Sequence, residues 1–151
     1  MNFEQYVPEA KRFLIELAQE LRNPSDEDGA YRILRNVMHT VREILTPEES
    51  MHLISQLPLI IKGVYIDGWK MNTKNRIRSR TEFLEALRSK SGQPGRDFGN
   101  DQEAIRKVQC VLHVLQNHVS AGEITHILNQ FPAELLDLWR LPADENAWRS
   151  K

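Results

Sequence analysis

The chain has 151 residues with 20 Lys plus Arg against 21 Asp plus Glu, enough length for one domain with its own core and a net charge of −1. That balance excludes a general affinity for nucleic acid or anionic membranes, although it leaves room for a local charged patch. The single cysteine, Cys110, excludes an intrachain disulfide. The opening MNFEQYVPEA lacks the cationic start and apolar stretch of a secretory signal, and the apolar run Leu57 to Ile61 is too short to span a bilayer. A soluble protein of the reducing cytoplasm is expected.

In chain order, Pro8 to Arg22 carries Phe13, Leu14, Leu17 and Leu21 at helical spacing and ends at Asn23-Pro24. The strongest periodic stretch follows: Ala30, Ile33, Leu34, Val37, Met38, Val41 and Leu45 alternate three and four apart, on one helical stripe. Thr46, Pro47 and Glu49 then read as an N-cap, a first-turn proline and a capping box, so a new helix starts there and stops near Pro58. Pro58 opens a short helix through Ile61 and Tyr65, frayed by Gly63 and Gly68. Thr81 is expected to cap a helix through Phe83, Leu84 and Leu87. Residues 89–100, SKSGQPGRDFGN, hold three of the seven glycines and read as a mobile loop.

Beyond that loop the first half returns without a gap. Ala30 matches Ala104, Arg32 Arg106, Val37 Val111, His39 His113, Glu49 Glu123, His52 His126, Gln56 Gln130 and Pro58 Pro132, eight identities over 36 aligned positions. Apolar positions are kept in kind, as in Met38/Leu112 and Leu57/Phe131, and Ser120 replaces Thr46 as the cap. The expected architecture is therefore all-α: about eight helices in one domain, as two tandem four-helix repeats at about residues 8–69 and 81–139. A basic linker, 70–80, joins them, and the repeats are expected to pack with pseudo-twofold symmetry because neither could cover its apolar stripes alone.

The run ILRNVMHTVREILTPEESMHLISQLPLIIKGVYIDGW, a following Arg-rich stretch with EFL, and VLHVLQNHVSAGEITHILNQFPAELLDLW closely resemble the bacterial family catalogued as domain of unknown function 2267. The resemblance rests on two Gln-x-Pro breaks, the Gly-x-Tyr-x-Asp-Gly-Trp segment and the Ser-x-Gly-Glu-Ile start, and it covers Phe13 to Trp139. It implies a small all-helical cytoplasmic protein and supplies no reaction, cofactor or partner.

Two constellations carry chemistry. The first is the repeated Glu-x-x-His, Glu49/His52 and Glu123/His126, with His39 and His113 as a further repeated pair. These residue types can hold a transition metal, but a di-iron bundle needs two more glutamates, and Glu43 has Asn117 as its counterpart. Set against apolar stripes at Met51, Ile54 and Leu57 and at Ile124, Leu128 and Phe131, each Glu-x-x-His is expected on the outer face. Each Glu then acts only in its capping box. The second is KMNTKNRIRSR, Lys70 to Arg80, with five positive charges and no acid after Tyr65, Asp67 and Trp69. Residues 70–100 carry eight bases and three acids, +5, so the other 120 sum to −6. An anion-binding patch of Tyr65, Asp67, Trp69, Lys70, Arg76, Arg78 and Arg80 is expected here, in which the three arginines fork onto carboxylate or phosphate groups while Tyr65 or Trp69 offers a flat apolar contact.

No Gly-x-Ser-x-Gly, glycine-rich phosphate loop or Cys-x-x-Cys is present. The reading is a non-catalytic protein-interaction or adaptor domain with an acidic protein partner and no cofactor. Nucleic acid is disfavoured. A metal-binding protein or cryptic metal-dependent enzyme is the alternative.

Overall fold

The computed structural model describes residues 3–71 and 77–140, which are helical with no strand among them. A 3-10 turn at Phe3–Gln5 leads into α1 (Tyr6–Glu20), α2 (Glu27–Ile44), α3 (Pro47–Ile54) and α4 (Leu59–Ile66). Then come α5 (Arg80–Ser89), α6 (Pro94–Phe98), α7 (Asp101–His118), α8 (Ala121–Gln130) and a 3-10 helix at Ala133–Trp139. None of the described helices is long and apolar enough to cross a membrane.

Short polar side chains set where these helices begin. Asp26 accepts the Gly29 N–H at 2.9 Å, Thr46 the Glu49 N–H at 3.1 Å, Asn100 the Glu103 N–H at 2.8 Å and Ser120 the Glu123 N–H at 3.2 Å. Each satisfies one amide that the first turn leaves without an intrahelical acceptor. The cap of α5 is Ser79 and not Thr81: Ser79 Oγ accepts from Glu82 N, and Glu82 Oε1 accepts from Ser79 N, both at 3.1 Å. A serine three residues before a glutamate makes the full reciprocal box, which Thr81 cannot make with Leu84.

The longest helices form the centre. α1 packs on α2 and α7, α2 on α5 and α7, and α3 on α8. Phe13, Leu17, Leu34, Val37, Met38, Phe83, Leu87, Val111, Leu112 and Leu115 are buried between them. Each large apolar side chain so buried contributes about 1.5–3 kcal/mol relative to exposure. Residues Asn36 to Val41 are buried without interruption. A helix covered all round cannot keep a polar back face, and that is why His39 is inside rather than at the surface.

The segment 89–100 is not loop throughout. It contains α6, whose Phe98 is fully buried, while the Asp97 carboxylate accepts from Arg32 Nε at 3.2 Å and Ser91 Oγ at 2.9 Å. Gly99 ends this helix at φ +62, the left-handed region that favours glycine, whereas a β-carbon there would meet chiefly the flexible, exposed end of the Glu103 side chain, which can swing aside.

Candidate functional site

The first candidate lies where α3 meets α8. Both Glu-x-x-His glutamates are buried at this contact, with side chains of Glu49 and Glu123 only 8% and 6% exposed. This corrects the outer-face expectation. The buried face of α3 is Glu49, Ser50, Leu53 and Ile54, followed by Leu57, whereas Met51 is 50% exposed; the same offset on α8 buries Glu123 and Ile127. Placing Met51 on the apolar stripe turned the helix far enough to put its glutamate in solvent.

Nor do the glutamates close capping boxes. The Thr46 N–H donates to Gln130 Oε1 at 3.0 Å and the Ser120 N–H donates to Gln56 Oε1 at 2.6 Å, so each cap is completed from the other half of the chain. The carboxylates are thereby freed to face one another. Gln130 Nε2 donates to Glu49 Oε1 at 3.3 Å, while Glu49 Oε2 and Glu123 Oε2 are buried without a hydrogen-bond donor. Burial, reinforced by the hydrogen bond that a protonated Glu123 can donate to Glu49 and by the charge of that facing carboxylate, pushes Glu123 up to about 7. His52 Nδ1 stands 3.7 Å from Glu49 Oε2 and His126 Nδ1 stands 3.9 Å from Glu123 Oε1, and both rings are mostly exposed. One ligand atom each from Glu49, His52 and Glu123 can be chosen within 4.8 Å of one another.

His39 and His113 take no part in this cluster. His39 donates from Nε2 to Val64 O at 2.7 Å, and burial lowers its pKa to about 4. His113 Nε2 stands 3.5 Å from Glu20 Oε1. The repeated positions therefore have unlike partners, His39 within its own half and His113 across to α1.

The second candidate is a cleft of about 810 Å³ between the end of α2, the segments on either side of residues 72–76, and the end of α8. Trp69, Met71, Ile77, Phe131 and Pro132 line it with apolar surface, and Arg42, Lys70 and Arg78 bring positive charge. Among the described lining residues Glu43 is the one acid, and it is already paired with Lys90 Nζ at 3.0 Å. Arg42 is set in place by donating from Nη1 to Tyr65 O at 2.6 Å and Asp67 O at 2.8 Å.

Of the expected patch, Trp69, Lys70 and Arg78 reach the cleft and Arg76 lies outside the described residues. Tyr65 cannot offer a contact face, because it is fully buried, with its hydroxyl 2.7 Å from Ser50 Oγ and its ring edge-to-face with Trp69. The Asp67 carboxylate accepts from Arg35 at 3.4 Å, and Arg80, the first residue of α5, is ion-paired with Asp137. Sequence reasoning missed Arg42, Ile77 and Phe131 as cleft residues, and the caps made by Gln56 and Gln130. The repeated Gln-x-Pro was the available signal for the glutamines.

The fold and its two sites define a small all-helical protein with a polar centre between two helix starts and a basic-apolar cleft beside it. Residues 10–138 match the family model described as Uncharacterized conserved protein (DUF2267), and the chain belongs to that family. A search of curated proteins finds no match.

Proposed function

We propose that the chain is a non-catalytic interaction module that docks an acidic, partly apolar segment of a partner protein in the cleft. The carrying observation is the lining itself: Trp69, Met71, Ile77 and Phe131 beside Lys70, Arg78 and Arg42, with the one acid among the described lining residues, Glu43, neutralised by Lys90. Apolar side chains of a partner would give up water against the aromatic and aliphatic walls. Its carboxylates would meet the cations, giving orientation and a faster encounter. The volume lies within the range of about 300–1,000 Å³ typical of ligand sites. The net +5 of residues 70–100 against −6 elsewhere supports an acidic partner over nucleic acid. The lone, buried Cys110 supports a reducing cytoplasmic setting for this reading.

The packing also supports a duplicated unit folded about a pseudo-twofold axis. The sequence match pairs α7 with α2, the leading helices correspond through Phe13-Leu14 on α1 and Phe83-Leu84 on α5, and α1 packs on α7 as α2 packs on α5.

The test is selection of a random peptide library on the immobilised chain, followed by affinity measurement on the enriched peptides. Sequences with Asp or Glu flanking one or two large apolar residues are expected, weakened at least tenfold by Lys70→Glu with Arg78→Glu and separately by Trp69→Ala. Peptides that bind the charge-reversed chain as well as the parent would reject the cleft as the site.

A further inference from the structure

We propose that Glu49, His52, Glu123 and His126 form a mononuclear binding site for a divalent transition metal, with zinc the best fit, at the contact of α3 and α8. The site stands on residues distinct from those that line the cleft, apart from the shared neighbour Gln130.

Three observations carry it. The first is proximity across the chain: ligand atoms of Glu49, His52 and Glu123 come within 4.8 Å of one another, and His126 Nδ1 lies 3.9 Å from Glu123 Oε1 as His52 Nδ1 lies 3.7 Å from Glu49 Oε2. Zinc at about 2.0–2.2 Å from each oxygen and nitrogen holds its ligand atoms about 3–4 Å apart, so small side-chain rotations suffice for Glu49, His52 and Glu123, while the exposed His126 ring, beside Glu123 but outside that trio, turns further to become the fourth ligand.

The second is an unmet electrostatic demand. With both groups ionised, Glu49 Oε2 and Glu123 Oε2 sit in side chains more than nine-tenths buried and have no hydrogen-bond donor. Two carboxylates in that state repel one another and have lost most of their hydration. A single proton neutralises one of them. A divalent cation neutralises both, and it does so without a further protein group.

The third is the donor set and its access. Two carboxylate oxygens with two imidazole nitrogens suit zinc, ferrous iron or manganese, whereas calcium and magnesium prefer oxygen alone. His52 and His126 are 58% and 65% exposed, so an ion can arrive from solvent and be handed to the buried oxygens. Gln130 Nε2, 3.3 Å from Glu49 Oε1, would orient that carboxylate from behind. Among the described residues the two positions that would supply a second ion do not do so: Glu43 is taken by Lys90, and its counterpart Asn117 donates to Glu16 at 2.9 Å.

The experiment is calorimetric titration of the full chain, stripped with chelator and desalted, with zinc sulfate and in parallel with manganese chloride. One zinc ion per chain is expected with a dissociation constant of micromolar or tighter, and a Tm raised by about 5 °C at a hundredfold excess over that constant. His52→Ala with His126→Ala alters only exposed rings, so the chelated variant should melt like the parent while losing at least 30-fold in zinc affinity. Glu49→Gln with Glu123→Gln should remove binding and leave the chelated chain as stable or more so, because the repulsion is gone. Absence of heat and of any Tm shift overturns the site. So does zinc binding that survives either double substitution within threefold.

Discussion

Gln130, the last residue of α8, completes the N-cap of α3 from the opposite half of the chain, its Oε1 accepting the Thr46 N–H at 3.0 Å. Gln56 does the same for Ser120 at 2.6 Å, and these four residues are matched pairs in the repeat. The two bonds differ in what else they hold, because Gln130 also donates to the buried Glu49 carboxylate. Gln130→Ala should therefore cost about 1–2 kcal/mol in urea unfolding, and Gln56→Ala, at an exposed side chain, about 0.5–1 kcal/mol. Equal losses would mean that the bond to Glu49 contributes nothing to stability.

Reciprocal capping also bears on whether half the chain can stand alone. Residues 8–69 would leave exposed the faces of α1 and α2 that rest on α7 and α5, and α3 would lose both its cap partner and α8. Either half expressed separately should be aggregated or molten, without a cooperative thermal transition. A monomeric half that melts cooperatively would contradict this.

Some of this organisation could be read from the chain and some could not. The stripe Ala30 to Leu45 placed α2 because seven apolar positions share one period, and the repeat located α7 by the same pattern. The orientation of α3 was not legible. Met51 and Ser50 are adjacent, hydrophobicity alone assigned Met51 to the core, and the structure buries Ser50 against Tyr65 instead. A buried serine and two buried glutamates have partners only in three dimensions, so no local rule finds them. The cleft was hidden for a similar reason, since residues 42–47, 68–71, 77–78 and 130–132 meet only after folding.

The inserted segment holds a buried polar tie that its glycine-rich sequence conceals. Asp97 is 4% exposed and joins Arg32 on α2 to Ser91 ahead of α6, with Phe98 beside it in the core. Asp97→Ala leaves Arg32 a route to solvent, so the expected loss is about 1–3 kcal/mol rather than the larger cost of stranding a buried charge. The same substitution should raise hydrogen exchange selectively at the amides of α6. An unchanged unfolding midpoint would show that Phe98 alone docks the segment.

His39 gives the protein a defined acid sensitivity. It is 4% exposed and its pKa falls from 6.5 to about 4, because burial disfavours the charged ring more than the bond to Val64 O favours it. Between those two values the unfolded chain binds the proton that the folded chain refuses, so the stability from the neutral ring is fully present above pH 6.5 and is lost as pH falls toward 4. The loss reaches about 3 kcal/mol at about 1.36 kcal/mol per pKa unit. Glu123 works in the opposite direction. Its raised pKa makes the folded state favour the proton, a contribution lost as pH rises through about 7. The measurement is therefore made with chelator present in a Glu123→Gln background, comparing urea unfolding at pH 7 and pH 4.5 with and without His39→Gln, which retains an N–H for Val64 O. The His39 chain should lose about 2–3 kcal/mol more than the His39→Gln chain over that interval. Parallel losses in the two chains would show that His39 is protonated in the folded state and that its burial costs nothing across this range.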